Sequence, residues 1–156
     1  MSHAFTKPAR YAEAEWAARV QLAACYRIFA HQGWAELIYN HLSLRVPGEE
    51  GHFLINPFGL HYSEVTASNL VKIDLHGNIV GASDWPVNPA GFTIHSAIHE
   101  VRHDAGCVMH LHTLDGTAVS TSAQGLLPLN QTAQLLCDAL AYHDYEGVAL
   151  DHDERP

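Results

Sequence analysis

The chain has 156 residues, of which 47% are hydrophobic and 16% are charged, and its formal net charge is −9 with histidine neutral. This length and composition predict one folded domain over residues 1–156 and exclude an intrinsically disordered chain. The negative charge and the absence of a Lys/Arg cluster disfavour binding to nucleic acid or to an anionic membrane.

The cysteines indicate a reducing compartment. Cys25, Cys107 and Cys137 are odd in number, widely spaced and set among apolar residues, and no CxxC motif occurs. We therefore expect reduced, buried thiols in a cytoplasmic protein. The N-terminal residues MSHAFTKPARYAEAEW show no apolar core of a signal peptide, and no run of residues reaches membrane-spanning length.

The first half of the chain predicts one helix followed by strands. Apolar residues recur at helical spacing from about Ala9 to Gln32, and Gly33 is a natural stop. Four short strands then form two predicted hairpins: His41–Val46 with His52–Ile55, and Val71–Leu75 with Ile79–Val80. Between the hairpins, Thr66–Leu70 is predicted to form a capped single turn of helix.

The second half alternates helices with strands. The predicted elements are a helix from Phe92 to about His103, a strand over Cys107–Thr113, a helix from a Thr113 cap to about Ser122, a helix over Gln131–Leu140 and a strand within Ala141–Leu150. Interleaved hairpins and helices predict an α/β fold in which helices cover a mainly antiparallel sheet.

A His-x-His pair lies in the predicted strand Cys107–Thr113. Because residues i and i+2 of a strand point to the same face, we expect the imidazoles of His110 and His112 to converge. Two neutral histidines on one strand are ligands of the kind that divalent metals bind. The competing interpretation is a pair of core histidines hydrogen-bonded to the backbone.

Other polar residues have two open interpretations each. His95 and His99 lie one helical turn apart, and we expect His99 and His103 at the surface or at a subunit contact. Arg45 follows the strand-like residues His41–Leu44 and would meet either an anionic substrate or a partner in a structural salt bridge. Tyr142 belongs either to a pocket rim or to a packed edge strand.

Several motifs in order resemble the class II aldolase and adducin family. They are Asn88–His99, Arg102, Asp104, Cys107–Thr113, Gly125–Leu129 and Ala141–Gly147. The similarity covers about residues 15–152 and is closer to the adducin head domain and its bacterial relatives than to the sugar-phosphate aldolases. It implies a three-layer α/β/α sandwich around a mainly antiparallel sheet, and a homo-oligomer, usually a tetramer, with active sites between neighbouring subunits.

The resemblance also implies a metal site. Family enzymes hold a divalent ion, typically zinc, with the two histidines that match His110 and His112 and a third from a C-terminal Asn-His-Gly segment. The ion binds two oxygens of a hydroxy-ketone and stabilises the enediolate formed when a carbon–carbon bond breaks. The resemblance places His95 beside the metal or the substrate.

The chain departs from the family pattern in three places. The acidic acid/base residue of the aldolases is matched by Gly91, which has no proton to give, so no catalytic residue is assigned. Phe58 and Pro89 stand in the phosphate-binding loops, which disfavours a sugar phosphate. The chain stops at Pro156, before any Asn-His-Gly segment, so we expect a C-terminally truncated domain that lacks the final family elements and holds zinc weakly or not at all.

Three functions remain open on this basis. The first is a divalent-metal-dependent, aldolase-like carbon–carbon lyase acting on a small hydroxy- or oxo-acid, which truncation would inactivate by removing a metal ligand. The second is a non-catalytic, adducin-like assembly domain. The third is an iron-dependent oxygenase on the same scaffold.

Overall fold

The computed structural model describes residues 7–145 and 147. Its helices and strands are α1 (Glu13–His31), β1 (His41–Arg45), β2 (His52–Ile55), β3 (Val71–Asp74), α2 (Pro89–Val101), β4 (Cys107–His110), α3 (Leu114–Ser120) and α4 (Gln131–Cys137). A single 3₁₀ turn over Tyr62–Glu64 lies between β2 and β3. Within this part of the chain, no helix has the length and apolar character needed to cross a membrane.

The four strands form one antiparallel sheet in the order β3-β2-β1-β4. Across β1 and β4, His41 pairs with His110 and Ser43 pairs with Val108. The predicted α/β class with a mainly antiparallel sheet is therefore confirmed. The second predicted hairpin is reduced to an isolated bridge between Ile73 and Ile79.

The sheet is the middle layer between α1 and α2. On the α1 side, Leu42 and Leu54 pack in a core cluster with Leu22 of α1. On the other side, Phe53 of β2 packs in a second cluster with Phe92 of α2. Alternation along each strand thus sends one set of side chains to each helix.

The hydroxyl of Tyr26 joins α1 to the sheet. Tyr26 is fully buried, and its hydroxyl oxygen accepts the backbone N–H groups of Leu42 at 2.8 Å and Asn56 at 3.2 Å. The acceptors for its own proton are the Leu42 carbonyl at 2.5 Å and the Asn56 Oδ1 at 2.9 Å. Burial raises the pKa of Tyr26 well above its usual range, so the hydroxyl keeps its proton.

A buried ion network ties α1 to β3. Glu15 of α1 is 5% exposed and accepts hydrogen bonds from Arg19 Nε at 2.8 Å and Lys72 Nζ at 3.0 Å. Lys72 also lies 3.0 Å from a carboxylate oxygen of Glu49, and Arg19 donates to the Leu70 carbonyl at 2.7 Å. Each buried charge therefore has an opposite charge and further hydrogen bonds, which offset its desolvation.

Local capping explains two of the differences between the predicted and the observed helices. The second helix begins at Pro89 rather than Phe92, since the Asn88 side chain accepts the N–H of Ala90 and proline suits the first helical position. The predicted helical turn at Thr66–Leu70 is a hydrogen-bonded turn without a helix. Instead, a 3₁₀ turn forms at Tyr62–Glu64, where His61 and Glu64 make a capping box.

The C-terminal strand predictions also need correction. The strand predicted over Cys107–Thr113 ends at His110, because its pairing with β1 ends where His41 begins that strand. The strand predicted within Ala141–Leu150 is not found over residues 141–145. Its residues 146 and 148–150 lie outside the described residues.

Replacing Tyr26 with phenylalanine tests the link between α1 and the sheet. Tyr26→Phe leaves two buried backbone N–H groups without their acceptor, so we expect the free energy of unfolding to fall by about 2 kcal/mol. Urea titration followed by circular dichroism measures this loss. Tyr39→Phe is the control, since Tyr39 is 54% exposed, and equal losses in the two variants would contradict the assignment.

Candidate functional site

A polar layer lies between α2 and the β1/β4 half of the sheet. His41 and Ser43 come from β1, His110 comes from β4, and His95 and His99 come from successive turns of α2. His41, His95 and His99 are each at most 2% exposed. The apolar half of the same sheet face lies under Phe92, and His99 borders it, with its ring 5.0 Å from that of Phe53.

Hydrogen bonds join these histidines into a single series, which we call the histidine line. Its members in order are Glu36, His112, His110, His41, His95, Ser43 and His99, and the successive distances are 2.5, 3.0, 3.1, 2.9, 2.7 and 2.8 Å. Both ring nitrogens of each of the four central imidazoles have a partner in the line. The arrangement therefore fixes where their protons can lie.

The buried histidines are neutral at pH 7. Burial lowers the pKa of His41 to about 3 and that of His95 to about 2, with smaller contributions from neighbouring histidines. Burial and then the Arg45 guanidinium lower the pKa of His99 to about 4. Burial, helped by His112, also lowers the pKa of His110. The layer is thus held by neutral hydrogen bonds rather than by ion pairs.

His110 and His112 converge as their spacing predicts. Their Nε2 atoms lie 3.0 Å apart, while His110 Nδ1 faces His41 and His112 Nδ1 faces the carboxylate of Glu36. A proton on each Nδ1 would leave two Nε2 lone pairs directed at one point, which suits a divalent ion such as zinc. Binding of a metal by this pair stays a prediction.

Two histidines converge here without a third ligating side chain among the described residues. No group of three or more His, Cys, Asp and Glu side chains able to hold an ion occurs in residues 7–145 and 147. The donor chemistry of the His110–His112 pair suits a divalent ion, which would need ligands beyond these two nitrogens.

Gly91 leaves room for the imidazole of His41. Gly91 lies in the first turn of α2, just after the Asn88 cap. A Cβ atom at this position would lie 2.9 Å from both Cγ and Cδ2 of His41. The space that a side chain at position 91 would enter is therefore filled by an aromatic ring, and an acidic residue cannot be accommodated there unless His41 moves.

Arg45 and Tyr142 are held by backbone partners. The Arg45 guanidinium donates to the carbonyls of Ala105 at 3.0 Å, Arg102 at 3.1 Å and His99, and so caps the C-terminal end of α2. The Tyr142 hydroxyl accepts the N–H of Leu126 at 2.8 Å, and the side chain is exposed. Contact of either residue with a substrate stays a prediction.

The prediction that His99 lies at the surface is wrong. His99 is 1% exposed because Ser43, two residues along β1 from His41, accommodates its ring beneath α2. His103 is exposed, as expected. His95 lies in the histidine line, separated from His110 by His41, and its predicted place beside a metal or substrate is untested.

The sequence pattern does not single out Glu36, Ser43 or His99 as members of the site. His41, Ser43 and Arg45 alternate along β1, which indicates a polar face, but only the β1–β4 pairing shows that this face meets His110. Glu36 lies in the connection before β1, where no periodicity marks it.

Comparison with known proteins places the chain among aldolases and adducins. Residues 20–154 match a family model described as the Class II Aldolase and Adducin N-terminal domain. A Caulobacter vibrioides protein, provisionally named an aldolase class 2 protein, is 56% identical over 94% of this chain and 57% of its own length. Alpha-adducin of Mus musculus is 52% identical over 93% of this chain and 20% of its own length. The chain thus spans little more than half of the bacterial relative.

Solved structures share the fold. An aldolase II superfamily protein from Pseudomonas syringae aligns with a TM-score of 0.89 and 52% identity, covering 94% of this chain and 59% of that chain. L-fuculose 1-phosphate aldolase from Glaciozyma antarctica PI12 aligns with a TM-score of 0.74 and 34% identity, covering 83% of this chain and 55% of that chain. The expected class II aldolase-like sandwich is therefore confirmed.

The neutral histidines predict acid sensitivity. The unfolded chain takes up a proton on His99 near pH 6.5, whereas the folded chain does so only near pH 4, so stability falls as the pH drops through this window. His99→Gln should reduce the slope of unfolding free energy against pH by up to about 1.4 kcal/mol per pH unit. Urea titrations from pH 7 to 4.5 measure the slope. The exposed His103→Gln should behave as wild type, and an unchanged slope in His99→Gln would refute this assignment.

Proposed function

The chain belongs to the class II aldolase and adducin N-terminal domain family, and we propose that it acts as a divalent-metal-dependent carbon–carbon lyase on a small hydroxy- or oxo-acid. The observation that carries this proposal is the convergence of His110 Nε2 and His112 Nε2 at 3.0 Å, with both Nδ1 atoms held by other side chains. Zinc is the proposed ion, because imidazole nitrogens are among its preferred ligands.

The surrounding residues prepare this pair for an ion. Glu36 accepts the Nδ1 proton of His112 at 2.5 Å, which leaves the Nε2 lone pair of that ring free. His41 contacts Nδ1 of His110 on the opposite side. An ion bound by the two Nε2 atoms would supply Lewis-acid polarisation of substrate oxygens, which is the chemistry that carbon–carbon cleavage beside a carbonyl requires.

The residues that match the family's phosphate-binding loops favour a small acid over a sugar phosphate. Phe58 is half-buried and Pro89 is exposed, and neither side chain has a donor for phosphate oxygens. Asn40, adjacent to His41, is 2% exposed and its Nδ2 has no hydrogen-bond partner among the described residues. We propose that amide as a donor for one oxygen of a compact substrate that would reach it.

A second candidate function, a non-catalytic assembly domain, is favoured by Gly91. The position that carries the acid/base residue in the aldolases has no side chain here, and the His41 ring closes the space. Alpha-adducin is a relative at 52% identity, although the chain covers only 20% of it. Under either function we propose a homo-oligomer, since α3 and α4 expose large apolar side chains, among them Leu114, Leu135 and Leu136.

Alanine at either histidine tests the metal site. We expect His110→Ala and His112→Ala each to weaken zinc binding at least about tenfold, because each removes one of two nitrogen ligands. Equilibrium dialysis against zinc, followed by metal analysis, measures this loss. His61→Ala is the matched control, as His61 is exposed and its side chain bonds to Ser63 alone among the described residues.

Turnover separates the two candidate functions. The metal-loaded chain is assayed for retro-aldol cleavage and decarboxylation with a panel of small hydroxy- and oxo-acids, with and without a chelator. Chelator-sensitive turnover that is lost in His110→Ala supports the lyase and excludes the non-catalytic domain. The lyase would be refuted if the wild-type chain bound no zinc and if the His110→Ala variant behaved in every assay as the wild type does.

The oligomer is tested by changing an exposed leucine. Leu135 of α4 is 75% exposed, so Leu135→Glu should preserve the fold but reduce self-association through this surface. Sedimentation velocity should show wild type larger than a monomer and Leu135→Glu shifted towards the monomer. Glu100→Gln on the exposed side of α2 is the control. A monomeric wild type would contradict the proposed homo-oligomer.

A further inference from the structure

We propose that His41 is a positioning residue for the His110–His112 pair, and that Gly91 serves this role by leaving room for the His41 ring. In this proposal His41 holds His110 in the tautomer that directs its Nε2 lone pair towards a divalent ion. The inference rests on the metal site proposed above, and it assigns a role to two residues that hold no ion themselves.

The tautomer of His110 decides whether the pair can bind an ion. A neutral imidazole carries one proton on one of its two nitrogens. If His110 carries that proton on Nε2, the proton points at Nε2 of His112, 3.0 Å away, and occupies the place of an ion. If the proton lies on Nδ1, it points at His41 Nε2, 3.1 Å away, and Nε2 is free.

His41 can accept that proton only when its own proton lies on Nδ1. That Nδ1 proton would point at His95 Nε2, 2.9 Å away, so His95 would also have to carry its own proton on Nδ1. The Nδ1 proton of His95 would in turn point at the hydroxyl of Ser43, 2.7 Å away. Ser43 would then donate to His99 Nε2, 2.8 Å away. The proton positions of the whole histidine line are therefore coupled through single hydrogen bonds.

Without an ion, counting protons fixes one direction of donation. Each hydrogen bond of the line needs one proton, and the neutral imidazoles and Ser43 supply one each while Glu36 supplies none. Donation then runs from His99 towards Glu36, and His99 Nδ1 is left as a lone pair. In agreement, His99 Nδ1 is buried and has no hydrogen-bond partner among the described residues.

With an ion held by His110 Nε2 and His112 Nε2, donation would run in the opposite direction from His110 onwards. The His110 proton moves from Nε2 to Nδ1, the protons of His41 and His95 move likewise, and Ser43 turns its hydroxyl towards His99. The last proton would then lie on His99 Nδ1, where the Ala105 backbone, which favours the protonated ring of His99, could accept it. No group gains or loses charge, so the reversal is a tautomeric change alone.

Gly91 and the sheet hold the His41 ring in place for this role. The backbone of His41 is fixed opposite His110 by the β1–β4 register, and its ring lies 4.6 Å from the ring centroids of both His95 and His110. A Cβ atom at position 91 would lie 2.9 Å from the ring, which is closer than packed carbon atoms approach. Any side chain there would push His41 away from Nδ1 of His110.

The wild-type chain provides the first test. Side-chain ¹⁵N NMR of histidine-labelled protein reports the tautomer of each ring without mutation. We expect His41 to carry its proton on Nε2 in the metal-free chain and on Nδ1 after zinc is added. The same His41 tautomer in both states, with zinc bound, would overturn the proposal.

Variants of His41 separate positioning from packing. His41→Gln keeps an acceptor for His110, and we expect its zinc dissociation constant to stay within about threefold of wild type. His41→Phe keeps the ring volume but offers no acceptor, and we expect zinc binding to weaken about 10- to 100-fold, as for other residues that orient metal ligands. His52→Phe, on β2 and bonded to Glu49, is the matched control and should bind zinc as wild type does.

Gly91→Ala is the second variant, because it keeps every polar group and displaces only the ring. It should weaken zinc binding in the same direction as His41→Phe, even if His41→Phe fails to fold. One outcome would overturn the positioning role alone. In it, wild type binds zinc, His110→Ala loses zinc, and both His41→Phe and Gly91→Ala bind zinc as wild type does. Failure of wild type to bind zinc would refute the metal site, and the positioning role with it.

Discussion

The antiparallel register between β1 and β4 is the constraint on which the candidate site depends. It sets His41 opposite His110 and turns Leu42 towards α1, and both His41 and Leu42 are at most 2% exposed. A shift by one residue would move Leu42 into the polar layer and His41 into the apolar layer. The packing of α1 and α2 on opposite faces therefore fixes the register, and the register in turn fixes the histidine line.

Local sequence signals predict much of this fold. The strand over His52–Ile55 and the cap at Thr113 are found where the sequence predicts them. The ends of elements are less predictable where they depend on a partner strand. For example, β4 ends at His110 because β1 has no residue before His41 to pair with, and the sequence of β4 itself does not show this. Strand order and layering likewise come from pairing between residues far apart in the chain.

The site is less predictable than the fold, for a physical reason. The His-x-His spacing alone predicts that two imidazoles converge, since it follows from strand geometry. Burial of His95 and His99 has no such signal, because a helix face that packs on a sheet is expected to be apolar. Only the distant residues His41 and Ser43, brought under α2 by the sheet, make that burial tolerable through hydrogen bonds.

The close approach of His41 to Gly91 has a consequence for how such a protein can change over generations. A mutation that adds a side chain at position 91 collides with His41, whereas loss of His41 first empties the space. The effect of either substitution therefore depends on whether the other has already occurred. To gain an acid at position 91 without this clash, the protein would first have to replace His41. A reconstructed ancestor that differs at position 91 alone would carry the clash, and we expect selection to disfavour it.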